Sequence, residues 1–206
     1  MRRRDYSRGC EFRIANFAWL GPECDRRLQG QATGHKIRKS AIRHFDIFMS
    51  PITCRKMRAA DVQAAFQMLS EFLNEDEHYL ASSQAYGDLG LKGLNDALDL
   101  FLERPELGFV WMAFDENGAA GICVVCYAIS TSMGAIVAKL DDVSVKKDRR
   151  GLGVGTQLLE QLKEQLRKET VTRIDVAVHL QNPEARRFYE KAGFLALNEE
   201  RLACVI

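Results

Sequence analysis

Three glycines alternate at positions 151, 153 and 155 within Leu140-Asp-Asp-Val-Ser-Val-Lys-Lys-Asp-Arg-Arg-Gly-Leu-Gly-Val-Gly-Thr156, between a β-rich run and an amphipathic helix. Glycines at such a turn let the backbone come close to a ligand and turn its N–H groups inward, and the helix start adds a partial positive charge. The loop therefore reads as a site for phosphates, although the same turn can serve simply to pack a helix tightly. It lacks the Lys-Ser/Thr ending of a Walker A loop. It also lacks the second spacing of the dinucleotide fingerprint G-x-G-x-x-G, so nucleoside triphosphates and NAD both lose ground.

Around this loop the apolar periodicity predicts a regular order of elements from Pro51 onward. Ile52 to Met57 reads as a short strand. Asp61 can cap a helix carrying Val62, Ala65, Phe66, Leu69, Phe72 and Leu73 at helical spacing. A second helix presents Leu94, Ala97, Leu98, Phe101 and Leu102 on one face, with Pro105 closing it. Gly108 to Phe114 and Ala119 to Ser130 read as strands joined by Asp115-Glu-Asn-Gly118, whose Asn-Gly pair suits a hairpin turn. Ala135 to Val145 is a third long strand. After the loop come a helix with Leu158, Leu159, Leu162 and Leu166, a strand from Arg173 to Val178, a helix from about Pro183 to Ala192, and a last strand within Phe194 to Ile206. The order is strand, two helices, an antiparallel meander, then helix, strand, helix, strand. The predicted class is α/β with a mixed sheet rather than a doubly wound parallel one.

The 206 residues and a 47% hydrophobic share suit one globular domain with an appendage and exclude disorder throughout. Residues 1–48 carry 11 Lys/Arg against 5 Asp/Glu, giving +6, while residues 49–206 carry 18 against 23, giving −5. That acidic body argues against nucleic-acid binding, which depends on neutralising phosphates. The longest apolar candidate, Gly121 to Ile129, has the length of a strand, not of a membrane span. The basic head has poor periodicity, broken by Gly9, Gly21, Pro22, Gly30 and Gly34, and reads as a poorly ordered extension. Arg13 and Asn16 interrupt Phe12 to Leu20, so a secretory signal fits badly; an organellar transit peptide fits the arginines but not Asp5, Glu11, Glu23 and Asp25. The favoured reading is that folding, and with it native translation, begins near Met49, leaving 49–206 as the domain. The six cysteines follow no disulfide framework, which suits a reducing cytoplasm. Cys123 and Cys126 sit three apart in a strand, so their sulfurs should face opposite sides of the sheet and neither chelate a metal nor form a redox pair.

Arg150-Gly151-Leu152-Gly153-Val154-Gly155 resembles the R/Q-x-x-G-x-G/A loop of the GNAT superfamily of N-acetyltransferases. The second signature of that family is matched by Asn182-Pro-Glu-Ala185-Arg-Arg-Phe188-Tyr189-Glu-Lys-Ala-Gly193-Phe194. Together with the element order, the resemblance covers about residues 52–206. It implies a mixed, mostly antiparallel sheet flanked by helices, whose fourth and fifth strands splay apart with acetyl-CoA in the gap. It further implies that Val143 and Val145 bond the pantetheine arm through their backbone and that Arg149, Arg150, Gly151, Leu152, Gly153, Val154 and Gly155, running into Thr156, cradle the pyrophosphate. By the same resemblance Asn182 touches the cofactor and Tyr189 sits near the thioester sulfur. No metal is implied.

Acyl transfer to an amine needs a neutral nitrogen near the thioester carbonyl, polarisation of its oxygen and a proton for the departing thiolate. A tyrosine hydroxyl can supply that proton, which suits Tyr189; its alternative is a packed aromatic beside Phe188. In several family members an acidic residue at the position of Asp141 is a proposed base acting through water. Strand alternation should send Asp141 and Asp142 to opposite faces, so at most one enters the acceptor cleft; simple ion pairing is the alternative. Lys146 and Lys147 read as phosphate helpers or a solvated pair, and His179 as a residue near the cleft or a structural histidine. Glu71, Glu75, Asp76, Glu77 and Asp88 gather where the resemblance puts the acceptor wall and suit cationic amines, unless they are a solvated helix end. The expected activity is transfer of acetyl from acetyl-CoA to a primary amine of a small cationic molecule by direct attack, in a protein without nucleic-acid or membrane partners, a homodimer being left open. The alternatives are a protein lysine or N-terminal acetyltransferase, and a non-catalytic acyl-CoA-binding regulatory module.

Overall fold

Five strands hydrogen-bond in the order in which they occur along the chain: β1 (Thr53–Lys56), β2 (Gly108–Asp115), β3 (Gly118–Ser130), β4 (Ala135–Val145) and β5 (Ile174–Val176). Neighbours from β1 to β4 run antiparallel, and β4 with β5 runs parallel. The computed structural model describes residues 51–75, 90–197, 199 and 201–204. The chain divides into two units, Met1–Phe45 and Asp46–Ile206, and every described residue belongs to the second. The expectations for residues 1–48 fall outside the described residues.

Helices cover both faces of the sheet. α1 (Val62–Glu75) and α2 (Gly90–Glu103) precede β2, α3 (Val154–Lys168) follows β4, and α4 (Pro183–Lys191) follows β5. Alternation along the strands feeds two cores. Val110, Met112, Ile122 and Val124 pack with Ala65, Met68 and Leu69 of α1 and Leu94 and Leu98 of α2. Phe109, Trp111, Cys123, Val125 and Leu140 pack on the other face with Leu158, Leu159, Leu162 and Leu166 of α3 and Tyr189 of α4. Burying each such leucine is worth about 1.5–3 kcal/mol, which is why the leucine stripe of α3 fixes its docking. Cys123 joins the α3 core while Cys126 packs against the α1/α2 core, on opposite sides of the sheet as strand geometry requires.

Several expectations need correction. Leu102 is exposed rather than on the buried face of α2. Asp61 ends a turn of 3₁₀ helix, Ala59–Asp61, before α1. Its carboxylate reaches back to the Arg58 N–H (2.8 Å) and takes the Arg55 guanidinium on both oxygens (2.5 and 2.9 Å), tying β1 to that turn. β5 is shorter than the run from Arg173 to Val178. Among the described residues after Phe194 none lies in a strand: Leu195, Leu197 and Leu202 are exposed, so this segment buries no face that would set a register. No helix among the described residues is long and apolar enough to cross a membrane.

One side chain closes the open edge of the sheet. Gln161 of α3 accepts from the Cys54 N–H (3.1 Å) and donates to the Ile52 carbonyl (3.0 Å), satisfying outward backbone groups of edge strand β1. Replacing Gln161 by Ala should therefore cost about 1–3 kcal/mol in chemical denaturation, the sum of two lost hydrogen bonds. A cost near zero would mean that water replaces the clamp.

Candidate active site

The parallel ladder between β4 and β5 consists of three pairs, Ala138 with Ile174, Lys139 with Asp175 and Leu140 with Val176, and then stops. β4 continues for Asp141 to Val145 paired to β3 alone among the described strands. This is the splay expected between the fourth and fifth strands. It leaves one edge of β4 open where the chain turns into the glycine loop.

The register between β3 and β4 shifts at the same place. Cys123 faces Val143 and Val125 faces Leu140, so β4 carries one extra residue opposite Val124. Ala138 and Leu140 belong to the α3 core, and beyond the shift so do Val143 and Val145. Asp141 and Asp142 lie between them, opposite the single residue Val124. The bulge absorbs one step of the strand period between Leu140 and Val143. Asp141 pairs with Lys139 (3.2 Å), and Arg201 lies 4.0 Å away.

The loop itself is built by backbone geometry. A 3₁₀ turn, Lys147–Arg149, is followed by Gly151 at φ 75° and Gly153 at φ 80°, left-handed values that L side chains resist. A Cβ added at Gly151 would meet nothing within 4 Å, so glycine is required there by conformation, not by crowding. Gly155 is different: its Cβ would make ordinary contact with Phe188 and Val145 at 3.5 Å, and alanine fits. In α3 the Gln157 N–H is the first to find a helical partner, the Gly153 carbonyl at 3.0 Å. The N–H groups of Val154, Gly155 and Thr156 precede it and have no acceptor inside the helix, which leaves them for an anion.

Both arginines of the loop are engaged by the protein. The Arg150 Nε donates to the Val145 carbonyl (3.1 Å), closing the end of β4. The Arg149 Nε donates to Asp115 Oδ2 (2.6 Å), and another guanidinium nitrogen reaches Asp148 (2.9 Å). Burial alone would raise the Asp115 pKa, but the hydrogen bonds from Arg149 and the Asn117 N–H hold its carboxyl below the ordinary value. Nothing in the sequence announced this contact: Asp115 reads as a turn residue, and 34 positions separate it from Arg149.

The α4 side holds the second signature. Asn182 is the N-cap of α4, its Oδ1 accepting from the Ala185 N–H at 3.0 Å. His179 stands just before it, with Nδ1 accepting from the Gln181 N–H at 3.2 Å. Tyr189 is 8% exposed, packed between Phe188 (5.1 Å between centroids) and Phe194 (5.4 Å) in the core that also holds Val143 and Val145. Burial, with a smaller contribution from the Cys123 thiol, pushes the Tyr189 hydroxyl well above its usual pKa and keeps it protonated. Asp141 and Asp142 stand on β4 just beyond its last pair with β5, and Tyr189 packs in the α3 core. Of the acidic residues expected at the acceptor wall, Asp76, Glu77 and Asp88 lie outside the described residues, as does the Glu75 side chain. Among the described residues no group of three or more His, Cys, Asp or Glu is clustered to hold a metal ion.

The acetyltransferase (GNAT) family model matches residues 66–194, and the chain belongs to that family. It is an acetyltransferase by family. No curated protein matches it. Solved structures share the fold at low identity. A predicted acetyltransferase with acetyl-CoA from Clostridium acetobutylicum has a TM-score of 0.58 and 16% identity over 75% of this chain and 96% of that one. A ribosomal-protein-alanine N-acetyltransferase from Brucella melitensis biovar Abortus 2308 has a TM-score of 0.55 and 14% identity, covering 75% and 98%. An aminoglycoside acetyltransferase from an uncultured soil metagenomic sample, in complex with trehalose, has a TM-score of 0.55 and 15% identity, covering 74% and 93%.

The two kinds of glycine in the loop make a direct test. Gly151→Ala should cost about 1–2 kcal/mol of stability, and Gly151→Asn less, because asparagine tolerates the left-handed region. Gly155→Ala should be close to neutral. Equal losses for Ala and Asn at 151, read from denaturation midpoints, would contradict the conformational origin of that glycine.

Proposed function

We propose that this acetyltransferase uses acetyl-CoA and transfers the acetyl group to a primary amine of a small cationic molecule by direct attack. The observation that carries the proposal is the parting of β4 from β5 beside a loop whose glycines expose the N–H groups at the start of α3. An extended amide arm ending in a pyrophosphate fits this pair of features. The open edge of β4 around Val143 and Val145 offers main-chain partners for the arm. The amides from Gly151 to Thr156 offer donors for the phosphates, and Asn182 lies at the start of the neighbouring helix. Acetyl-CoA supplies the activated acyl group; the chain's part is to hold, orient and move protons.

On the acceptor side, the adjacent Asp141 and Asp142 supply negative charge that draws a cationic amine. Asp141 is the group proposed to take the amine proton, through water. Tyr189 is the group proposed to protonate the departing sulfur, and a phenol kept neutral by burial is suited to donate rather than accept. A cytoplasmic setting belongs to the same proposal, because the spacing of the six cysteines follows no disulfide framework.

Thiol release from acetyl-CoA, measured with polyamines, aminoglycosides and lysine peptides in parallel, tests the reaction and the acceptor class together. Turnover with a small amine is expected; turnover with peptides alone would move the acceptor to proteins, and acetyl-CoA binding without turnover on any amine would make the chain a sensor. Tyr189→Phe should lower kcat by about 10²- to 10⁴-fold under conditions where chemistry limits, with KM little changed. Because the hydroxyl pKa is raised, the parent should lose no activity through Tyr189 ionisation up to about pH 10, the ordinary tyrosine value. An alkaline decline that is present in the parent and absent from the residual activity of Tyr189→Phe would overturn this assignment.

A further inference from the structure

We propose that Asp115 is a positioning residue for the phosphate-binding loop: through Arg149 it latches that loop to the turn between β2 and β3 and thereby sets cofactor affinity. The ligand part rests on the acetyl-CoA proposal above, whereas the latch is a property of the chain alone. Asp115 ends β2 and uses both carboxylate oxygens. Oδ1 accepts from the Asn117 N–H (2.8 Å), holding the hairpin turn, and Oδ2 accepts from the Arg149 Nε (2.6 Å). The side chains are 10% and 26% exposed, so this charge-assisted pair is sheltered from the screening that weakens surface ion pairs. Asp148, at 69% exposure, is the weaker partner of the same guanidinium.

The position of Arg149 gives the pair its leverage. It ends the 3₁₀ turn and stands two residues before Gly151, in a segment with few backbone bonds. Upstream, the Lys146 N–H reaches the Ala120 carbonyl (3.0 Å); within the turn, the N–H groups of Arg149 and Arg150 reach Lys146 and Lys147 (2.9 and 3.4 Å). The next backbone anchor is the first turn of α3. Glycines at 151 and 153 gain much freedom when released, so two side-chain anchors keep the amides aligned, Arg149 on Asp115 and Arg150 on the Val145 carbonyl. A loop aligned for only part of the time binds more weakly in proportion to that fraction.

A direct role for Arg149 predicts the opposite sign. Were its guanidinium a phosphate ligand held back by Asp115, removing the carboxylate would free it and tighten binding. The latch predicts weakening. Asp115→Asn keeps an oxygen for the Asn117 N–H and removes the charge, so it isolates the bridge from the turn.

The test compares the parent with Asp115→Asn, Arg149→Met and the double variant. Acetyl-CoA affinity is read by titration calorimetry, and amide hydrogen exchange of residues 147–153 is read without ligand. Each single variant should bind acetyl-CoA about five- to twentyfold more weakly, the double should be no weaker than the poorer single, and exchange in 147–153 should rise in all three. For Asp115→Asn the loss should fall on KM for acetyl-CoA and not on kcat, which a general loss of structure would not reproduce. Binding as tight as or tighter than the parent, additive losses in the double, or unchanged exchange would overturn the latch. If Asp115→Asn fails to fold, ligand-free exchange of residues 147–153 in Arg149→Met decides the latch, because loss of a direct phosphate ligand would leave that exchange unchanged. Should the parent fail to bind acetyl-CoA, the cofactor proposal falls, and hydrogen exchange alone still decides the latch.

Discussion

Everything at the candidate site depends on β4 being held, among the described strands, by β3 alone after Leu140. A parallel ladder of three pairs lines β4 up with β5, and its end releases one edge of β4. Backbone N–H and C=O groups on such an edge need partners, so the opening is a demand for hydrogen bonds as much as a space. The extra residue opposite Val124 falls where this pairing ends. Bulges bend a strand and increase its twist, which helps to carry β4 away from β5. The same insertion returns Val143 and Val145 to the α3 core. One residue of register thus falls where the β4 and β5 ladder ends and keeps the apolar side of β4 beyond it on the α3 core.

The phosphate side follows a different economy. Arg149 and Arg150 look like ligands in the sequence, yet the Nε of each bonds a protein oxygen, on Asp115 and on the Val145 carbonyl, and so ties down the loop that carries it. The donors left over are amides at the start of α3, fixed by two left-handed glycines. Fixed amides lose no rotamer freedom when a ligand arrives, unlike long arginine side chains. The arginines contribute rigidity, and rigidity in turn makes the amides effective.

The sequence made some of this legible and hid the rest for identifiable reasons. The leucine stripe of α3, the Asn-Gly hairpin and the span of β4 are local patterns, readable because one element's own period decides them. The splay and the site residues entered through the resemblance to a family, not through periodicity. The bulge at Asp141 and Asp142 was not legible, because a bulge is a property of two strands and no single strand records where its partner skips a residue. The Asp115 and Arg149 contact joins two turns distant in sequence. The segment after Phe194 contains apolar residues, but Leu195, Leu197 and Leu202 find no surface to cover, and pattern without a partner does not make a strand.

Tyr189 illustrates why packing and catalysis are not competing accounts of one residue. Its ring is wedged between Phe188 and Phe194, and Phe188 also lies beside the first turn of α3 at Gly155. That aromatic stack locks the ring, and a locked ring holds its hydroxyl at one point in space, as a proton donor requires. The burial that makes Tyr189 a core residue is also what raises its pKa and keeps the proton on the oxygen. Removing the oxygen leaves the stack intact, whereas removing the ring would disturb α4 and the start of α3 together. The phenol therefore belongs to the core through its ring and to the proposed chemistry through a single atom.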